Sequence, residues 1–69
     1  METFSLIEVS KIISITKFKL RYHIDFGNVA MPKKERGHFR FTEQDIYNIA
    51  EKLKIPKENV NFDVLNVNV

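Results

Sequence analysis

Cationic side chains are concentrated in the middle of this 69-residue chain. Eight Lys or Arg residues fall between Lys11 and Arg40, where the acidic residues are only Asp25 and Glu35. This stretch therefore carries a net charge of +6, whereas the whole chain carries +2 and its flanks are net acidic. A basic centre of this kind suits a phosphate backbone as partner, although a solvated, lysine-bearing surface has the same composition.

Residues that could support catalysis or hold a metal are sparse. His23 and His38 have no cysteine or carboxylate at ligand spacing, so no metal site is expected. The two glycines, Gly27 and Gly37, lie too far apart to form a phosphate-cradling loop, and no serine stands beside a histidine base. A chain this short also has little room for a substrate pocket. The sequence therefore predicts a protein that is not an enzyme and uses no cofactor.

Length and composition predict a single globular domain over residues 1–69. The chain has no cysteine, which excludes disulfides and zinc fingers and suits a reducing cytoplasm. No apolar run approaches the ~20 residues of a membrane span, and the first residues lack the pattern of a secretory signal. A cytoplasmic protein without a membrane partner is expected.

Capping residues mark three helix starts. Residues 5–8 fit a capping box, Thr16 is a plausible N-cap, and Thr42 opens the clearest start. Apolar residues then recur at the i, i+3, i+4, i+7 spacing of an amphipathic helix, at Ile46, Ile49, Ala50 and Leu53. We predict a helix-turn-helix over 5–27, ended by Gly27, and a third helix over 42–55.

A β-hairpin is predicted between the second and third helices. Residues 29–31 and 38–41 form its short strands, around a polar and basic tip at 32–37. Phe39 and Phe41 would then face the core, with His38 and Arg40 outward. A hairpin over 28–41 after a helix-turn-helix is a wing. The predicted fold is mainly α with a β-hairpin wing, a winged helix-turn-helix.

Residues 17–26 also support a second interpretation. Apolar and polar residues alternate strictly from Lys17 to Phe26, which is typical of a strand, and residues 3–16 are rich in weak helix formers. This interpretation gives an α+β domain of ββαβ type in which Tyr22 is a core residue. Its function would be that of a protein-binding inhibitor or interaction module of a phage or mobile element, which docks a sheet edge or its basic loop on a protein partner.

The pattern of apolar residues in the tail, residues 57–69, predicts an edge strand or a short helix. Val60, Phe62 and Val64 alternate as in a strand, and Leu65, Val67 and Val69 do so on the other parity. Val60, Val64 and Val67 would instead share one face of a helix. We favour the strand, which could pair with the wing or with a second copy and so form a homodimer through the tail.

Several short motifs in register resemble the DNA-binding head of the MerR (mercury-resistance regulator) superfamily. They are residues 8–11 (Glu-Val-Ser-Lys), Ile15-Thr16, Leu20-Arg21-Tyr22 and Gly27, followed by residues 37–46, which resemble the family's wing strand and next helix start. Residues 53–60 are similar to the family's link into a fourth helix. The resemblance covers residues 4–60 and implies a winged helix-turn-helix in which 16–26 is a helix.

The resemblance implies binding to double-stranded DNA, with helix 16–26 in the major groove and the wing on a neighbouring backbone or minor groove. The implied DNA-contacting residues are Thr16, Lys17, Lys19, Arg21, Tyr22, His23, Lys33, Lys34, Arg36 and Arg40. A surface ion pair with Asp25 is an alternative role for Arg21. The implied function is transcription regulation, or, since no coiled coil or effector domain is recognised here, an excisionase-like architectural role.

Five positions depart from the family pattern. Ser14 replaces the usual turn glycine; serine can adopt an ordinary turn but lacks the conformational freedom of glycine. His23 replaces the second tyrosine of Leu-Arg-Tyr-Tyr. Phe39 occupies the position of the wing arginine, so that contact cannot be carried over to it. Phe18 and Ile24 would lie on the exposed side of the recognition helix.

Overall fold

The computed structural model describes residues 3–66, and of Asn66 only the backbone. Its elements are α1 (Leu6–Ile12), α2 (Lys17–Asp25), β1 (Lys33–Glu35), β2 (His38–Arg40), α3 (Glu43–Lys52) and two 3-10 helices (Lys57–Asn59 and Phe62–Asn66). A helix-turn-helix followed by an antiparallel hairpin and a third helix confirms the winged helix-turn-helix prediction. Because α2 is a helix, the ββαβ interpretation is wrong. In the described range, no helix is long and apolar enough to cross a membrane.

The three predicted helix starts are confirmed by their caps. The Ser5 hydroxyl accepts the Glu8 N–H at 3.2 Å, and the Glu8 carboxylate accepts the Ser5 N–H at 2.8 Å. Thr42 and Asp45 form the same reciprocal capping box at the start of α3. The Thr16 hydroxyl accepts the Lys19 N–H at 3.1 Å and caps α2. These bonds satisfy amides that lack a partner within the helix, so the sequence sets each start locally.

Each α-helix in the described range is followed by a residue with positive φ. Ser14, Gly27 and Lys54 have φ of 61°, 74° and 58°. The backbone N–H of each of these residues, and that of the residue after it, donates a hydrogen bond to a carbonyl oxygen of the last helical turn. This is the pattern of a Schellman motif. Ser14 is therefore not in an ordinary turn. Serine adopts a left-handed conformation here, which costs a residue with a Cβ about 1–2 kcal/mol.

Ser14→Gly is expected to raise the free energy of unfolding by about 0.5–1 kcal/mol, because glycine removes the left-handed strain but gains freedom in the unfolded chain. Urea denaturation measures the change. Gly27→Ala is the reciprocal control and should destabilise by a similar amount, since a Cβ at Gly27 meets no atom within 4 Å and only backbone strain is added. Equal stability of Ser14→Gly and the parent would contradict the strain at Ser14.

The second strand of the wing lies within the predicted 38–41, but the first strand lies later in the chain than predicted. The first strand is Lys33–Glu35, so the assignment of a strand to 29–31 is wrong. The turn residues Arg36 and Gly37 have φ of 52° and 81°, and positive φ at both positions marks a two-residue type I′ turn. So tight a turn sets the register, and the strand that pairs with β2 must end directly before Arg36. Val29 is instead buried in the core.

The core lies where the three α-helices meet the end of the wing. Phe41 is fully buried and exchanges two backbone hydrogen bonds with Phe4, at 2.8 and 2.9 Å. Leu20 and Ile24, one turn apart on α2, are both buried in this core, so the expectation that Ile24 is exposed is wrong. The other buried apolar residues are Val9, Ile12, Ile13, Val29, Phe39, Ile46, Ile49 and Ala50.

The tail is not a strand over its described part. It forms two short 3-10 helices, the second of which packs against α1, so the favoured strand interpretation is wrong there. The Phe62 ring lies 5.4 Å from the Phe4 ring and 5.9 Å from the Tyr47 ring. The tail therefore covers the core instead of offering a sheet edge. Val67 and Val69 lie outside the described residues, and a homodimer through the tail stays a prediction.

Candidate nucleic-acid interface

Helix α2 presents one face to the core and the opposite face to solvent. Leu20 and Ile24 anchor it, which leaves Phe18, Tyr22 and Phe26 on the outward face at i, i+4, i+8 spacing. These three aromatic side chains are 76%, 54% and 69% exposed. The prediction that Tyr22 is core, which belonged to the strand interpretation, is wrong. An anchored helix with a solvent-facing side is what groove binding requires.

Arg21 lies beside this outward face and makes two contacts. Its Nε donates to the Asp25 Oδ1 at 3.0 Å, in an ion pair whose side chains are both 50% exposed. Its guanidinium carbon also lies 5.1 Å from the centroid of the Phe39 ring. The alternative ion-pair role is therefore present in the free protein. An exposed pair of this kind contributes little to stability, and the remaining guanidinium N–H groups are free to donate elsewhere.

Phe39 brings the wing and α2 together. It is a buried wing residue, as predicted, and pairs across the hairpin with Lys34. The Lys34 Nζ lies 5.1 Å from the Phe39 ring centroid, the same distance as the Arg21 guanidinium carbon. The Arg21 guanidinium carbon and the Lys34 Nζ, which belong to different elements, therefore lie no farther apart than twice 5.1 Å. The Phe39 ring thus has one cation from α2 and one from the wing close to it.

The remaining wing cations lie around the hairpin tip. Lys33 and Arg36 are exposed, whereas Arg40 is half-buried and pairs across the hairpin with Lys33. Residues alternate across a strand, so Lys33 and Arg40 lie on the face opposite to Lys34. The acidic residue on the hairpin is Glu35, and the wing therefore keeps an excess of positive charge.

A groove joins the start of α1, the outer face of α2 and the wing. Its volume is about 440 Å³, and its lining includes Ile7, Lys17, Phe18, Arg21, Lys34 and His38. We call this the basic groove. Three of the predicted contact residues meet in it: Lys17, Arg21 and Lys34. Acidic side chains do not line it within the described residues.

The other predicted contacts on α2 lie outside the basic groove. Positions two residues apart on a helix differ by about 200° in direction, so Lys19 and His23 lie on the opposite flank from Lys17 and Arg21. His23 is half-buried, and its Nδ1 lies 3.0 Å from the side-chain nitrogen of Asn28. Tyr22 lies on the outward face and does not line the basic groove. The hydroxyl of Thr16 caps α2.

Comparison with known families agrees with this arrangement. The model of the family described as MerR HTH family regulatory protein matches residues 4–62. The chain belongs to this family. No curated protein and no solved structure matched the chain. MerR membership confirms the resemblance drawn from the motifs, and it makes the chain a DNA-binding protein of a regulatory, non-enzymatic family.

Phe18 was not predicted from the sequence as a functional candidate in this MerR-type domain. Its ring is part of the basic groove, 5.3 Å from the Lys17 Nζ, yet it was regarded only as a departure from the family pattern. A signal was present. Once α2 is accepted as a helix anchored by Leu20 and Ile24, positions 18, 22 and 26 must point away from the core.

Proposed function

We propose that this MerR-family chain binds specific sites in double-stranded DNA as a small transcriptional regulator of the cytoplasm. Helix α2 enters the major groove, and the wing lies along the adjacent backbone. The observation that carries the proposal is the convergence of Arg21 and Lys34 on the Phe39 ring, each at 5.1 Å. It brings Arg21 of α2 and Lys34 of the wing together in the basic groove, whose positive charge suits a phosphate backbone.

The contact residues divide into positioning and reading roles. Lys17 and Lys19 at the start of α2, together with Thr16, are suited to phosphates, which set register but carry no sequence information. Arg21 can donate two hydrogen bonds to a guanine edge or to a phosphate, and Tyr22 reaches backbone or base edges next to it. The remaining proposed contacts are His23, Lys33, Lys34, Arg36 and Arg40. Reading of bases would come from α2, and the wing would add affinity.

Arg21→Ala is expected to weaken binding to the preferred duplex by roughly 5- to 150-fold, since a bidentate arginine contact is worth about 1–3 kcal/mol. The fold should be retained, because the ion pair that is lost is exposed. The preferred duplex is selected from a randomised pool, and affinity is measured by fluorescence anisotropy at several salt concentrations, with circular dichroism as the folding check.

Two controls sharpen this test. Lys57→Ala removes a cation that lies after α3 and outside the basic groove, and it should leave affinity nearly unchanged. Asp25→Asn removes a negative charge beside the outer face of α2 and releases Arg21, so affinity should rise. Absence of binding to any duplex in the pool, or binding that does not depend on salt, would contradict the proposed function.

An excisionase-like architectural role in a mobile element would use the same surface and would also bend the duplex. A circular-permutation gel assay separates it from simple repression, since a bent complex migrates according to the position of the site. The alternative protein-binding module required a strand over 17–26, and the helix observed there removes that premise.

A further inference from the structure

The outward face of α2 carries more apolar surface than phosphate binding requires. Phe18, Tyr22 and Phe26 form an aromatic stripe on this face, and the Tyr22 and Phe26 rings are in contact, tilted by 38° with centroids 4.5 Å apart. Phe18 is 76% exposed and is the most exposed large apolar side chain described. It contributes little to the core, so its apolar surface is available to a partner.

The surroundings of Phe18 indicate the chemistry of that partner. The Lys17 Nζ lies 5.3 Å from its ring, and Arg21 and Lys34 line the same groove. An apolar protein surface would have to strip water from these cations without pairing them, which is costly. The major groove of DNA instead combines phosphates, which pair the cations, with an apolar group on the base edge, the 5-methyl group of thymine.

We propose that Phe18 packs against the 5-methyl group of a thymine in the major groove, so that the binding site requires thymine at one position. This inference rests on the proposed function, because it assumes that α2 lies in that groove. Phe18 is the second residue of α2, and the N-terminal residues of a recognition helix are the ones that contact base edges. Phe26 follows the last residue of the helix and lies farther from the bases.

Replacing thymine by deoxyuridine tests the contact, because this change removes only the methyl group. The probe is the duplex selected from the randomised pool, with each thymine substituted in turn, and affinity is measured by fluorescence anisotropy. At the position facing Phe18, the substitution should weaken binding of the parent protein by about fourfold, the effect of one buried methyl group. Phe18→Ala should bind the thymine and deoxyuridine duplexes equally, whereas Phe26→Ala should keep the parent's discrimination.

The outcomes distinguish failure of the proposed thymine contact of Phe18 from failure of the proposed DNA binding. Salt-dependent DNA binding that is insensitive to every deoxyuridine substitution, or a methyl effect that survives Phe18→Ala, overturns the role of Phe18 and leaves DNA binding intact. Absence of binding to all duplexes overturns both. If sedimentation of the free protein shows self-association that Phe18→Ala abolishes, a second copy and not thymine is the occupant, and the inference is overturned.

Discussion

Replacing Lys33, Lys34 and Arg36 together with glutamine is expected to reduce the salt dependence of DNA binding by about 3 in the slope of log K against log salt concentration. Each lysine or arginine that neutralises a phosphate releases counterions and contributes about 0.9 to that slope. The three side chains are exposed on the wing, so their loss should not disturb the core. Binding should weaken to a similar degree for all duplex sequences, because phosphate contacts carry no sequence information. Anisotropy titrations over a range of salt concentrations give the slope.

A matched control separates the wing from overall charge. Lys52, Lys54 and Lys57 lie at the end of α3 and in the segment after it, and none of them lines the basic groove. Their replacement with glutamine removes the same three charges. This control should keep nearly the parent slope, since long-range effects are screened at moderate salt. An equal reduction of the slope in both variants would show that the wing makes no phosphate contacts.

Phe41→Ala is expected to destabilise the domain by about 3–5 kcal/mol, the usual cost of removing a buried phenyl ring and leaving a cavity. Phe41 is fully buried, and its backbone pairs with Phe4. Small domains have roughly 5 kcal/mol or somewhat more to lose, so much of the variant population should be unfolded or close to unfolding. Urea denaturation followed by circular dichroism measures the loss, and DNA binding should fall with the folded fraction.

Phe26→Ala is the matched control, because it removes the same side chain from a site that is 69% exposed. It should cost less than about 1 kcal/mol, mainly from the lost ring contact with Tyr22, whose centroid lies 4.5 Å away. If the two variants were equally stable, Phe41 could not be the centre of the core.

Local signals determined the helices. Ser5, Thr16 and Thr42 cap them through hydrogen bonds that span only three residues, so the sequence alone predicts where they begin. Gly27 likewise ends α2 through its own backbone freedom. The family motifs then favoured a helix over a strand at 17–26, and the structure confirmed the helix.

The alternation over 17–26 wrongly favoured a strand because it combines two different sets of apolar residues. Leu20 and Ile24 face the core, whereas Phe18, Tyr22 and Phe26 face solvent. In a helix the two sets lie on opposite sides, and together they mimic the period of a strand. Predicting secondary structure from the spacing of apolar residues requires that those residues are buried. The prediction is therefore wrong where apolar residues are exposed and available for binding.

Only the tertiary structure decided how the candidate interface is assembled. Arg21 from α2 and Lys34 from the wing both lie 5.1 Å from the Phe39 ring centroid. The described part of the tail packs on α1 instead of pairing as a strand. These contacts join residues distant in sequence, and their geometry depends on the register of the hairpin and the packing of the core. The sequence alone therefore determined the excess of positive charge in the middle of the chain, and most residues of the candidate interface could be predicted from it. The fold decided that Lys17, Arg21 and Lys34 share one groove with Phe18, because only packing of the wing against α2 brings them together.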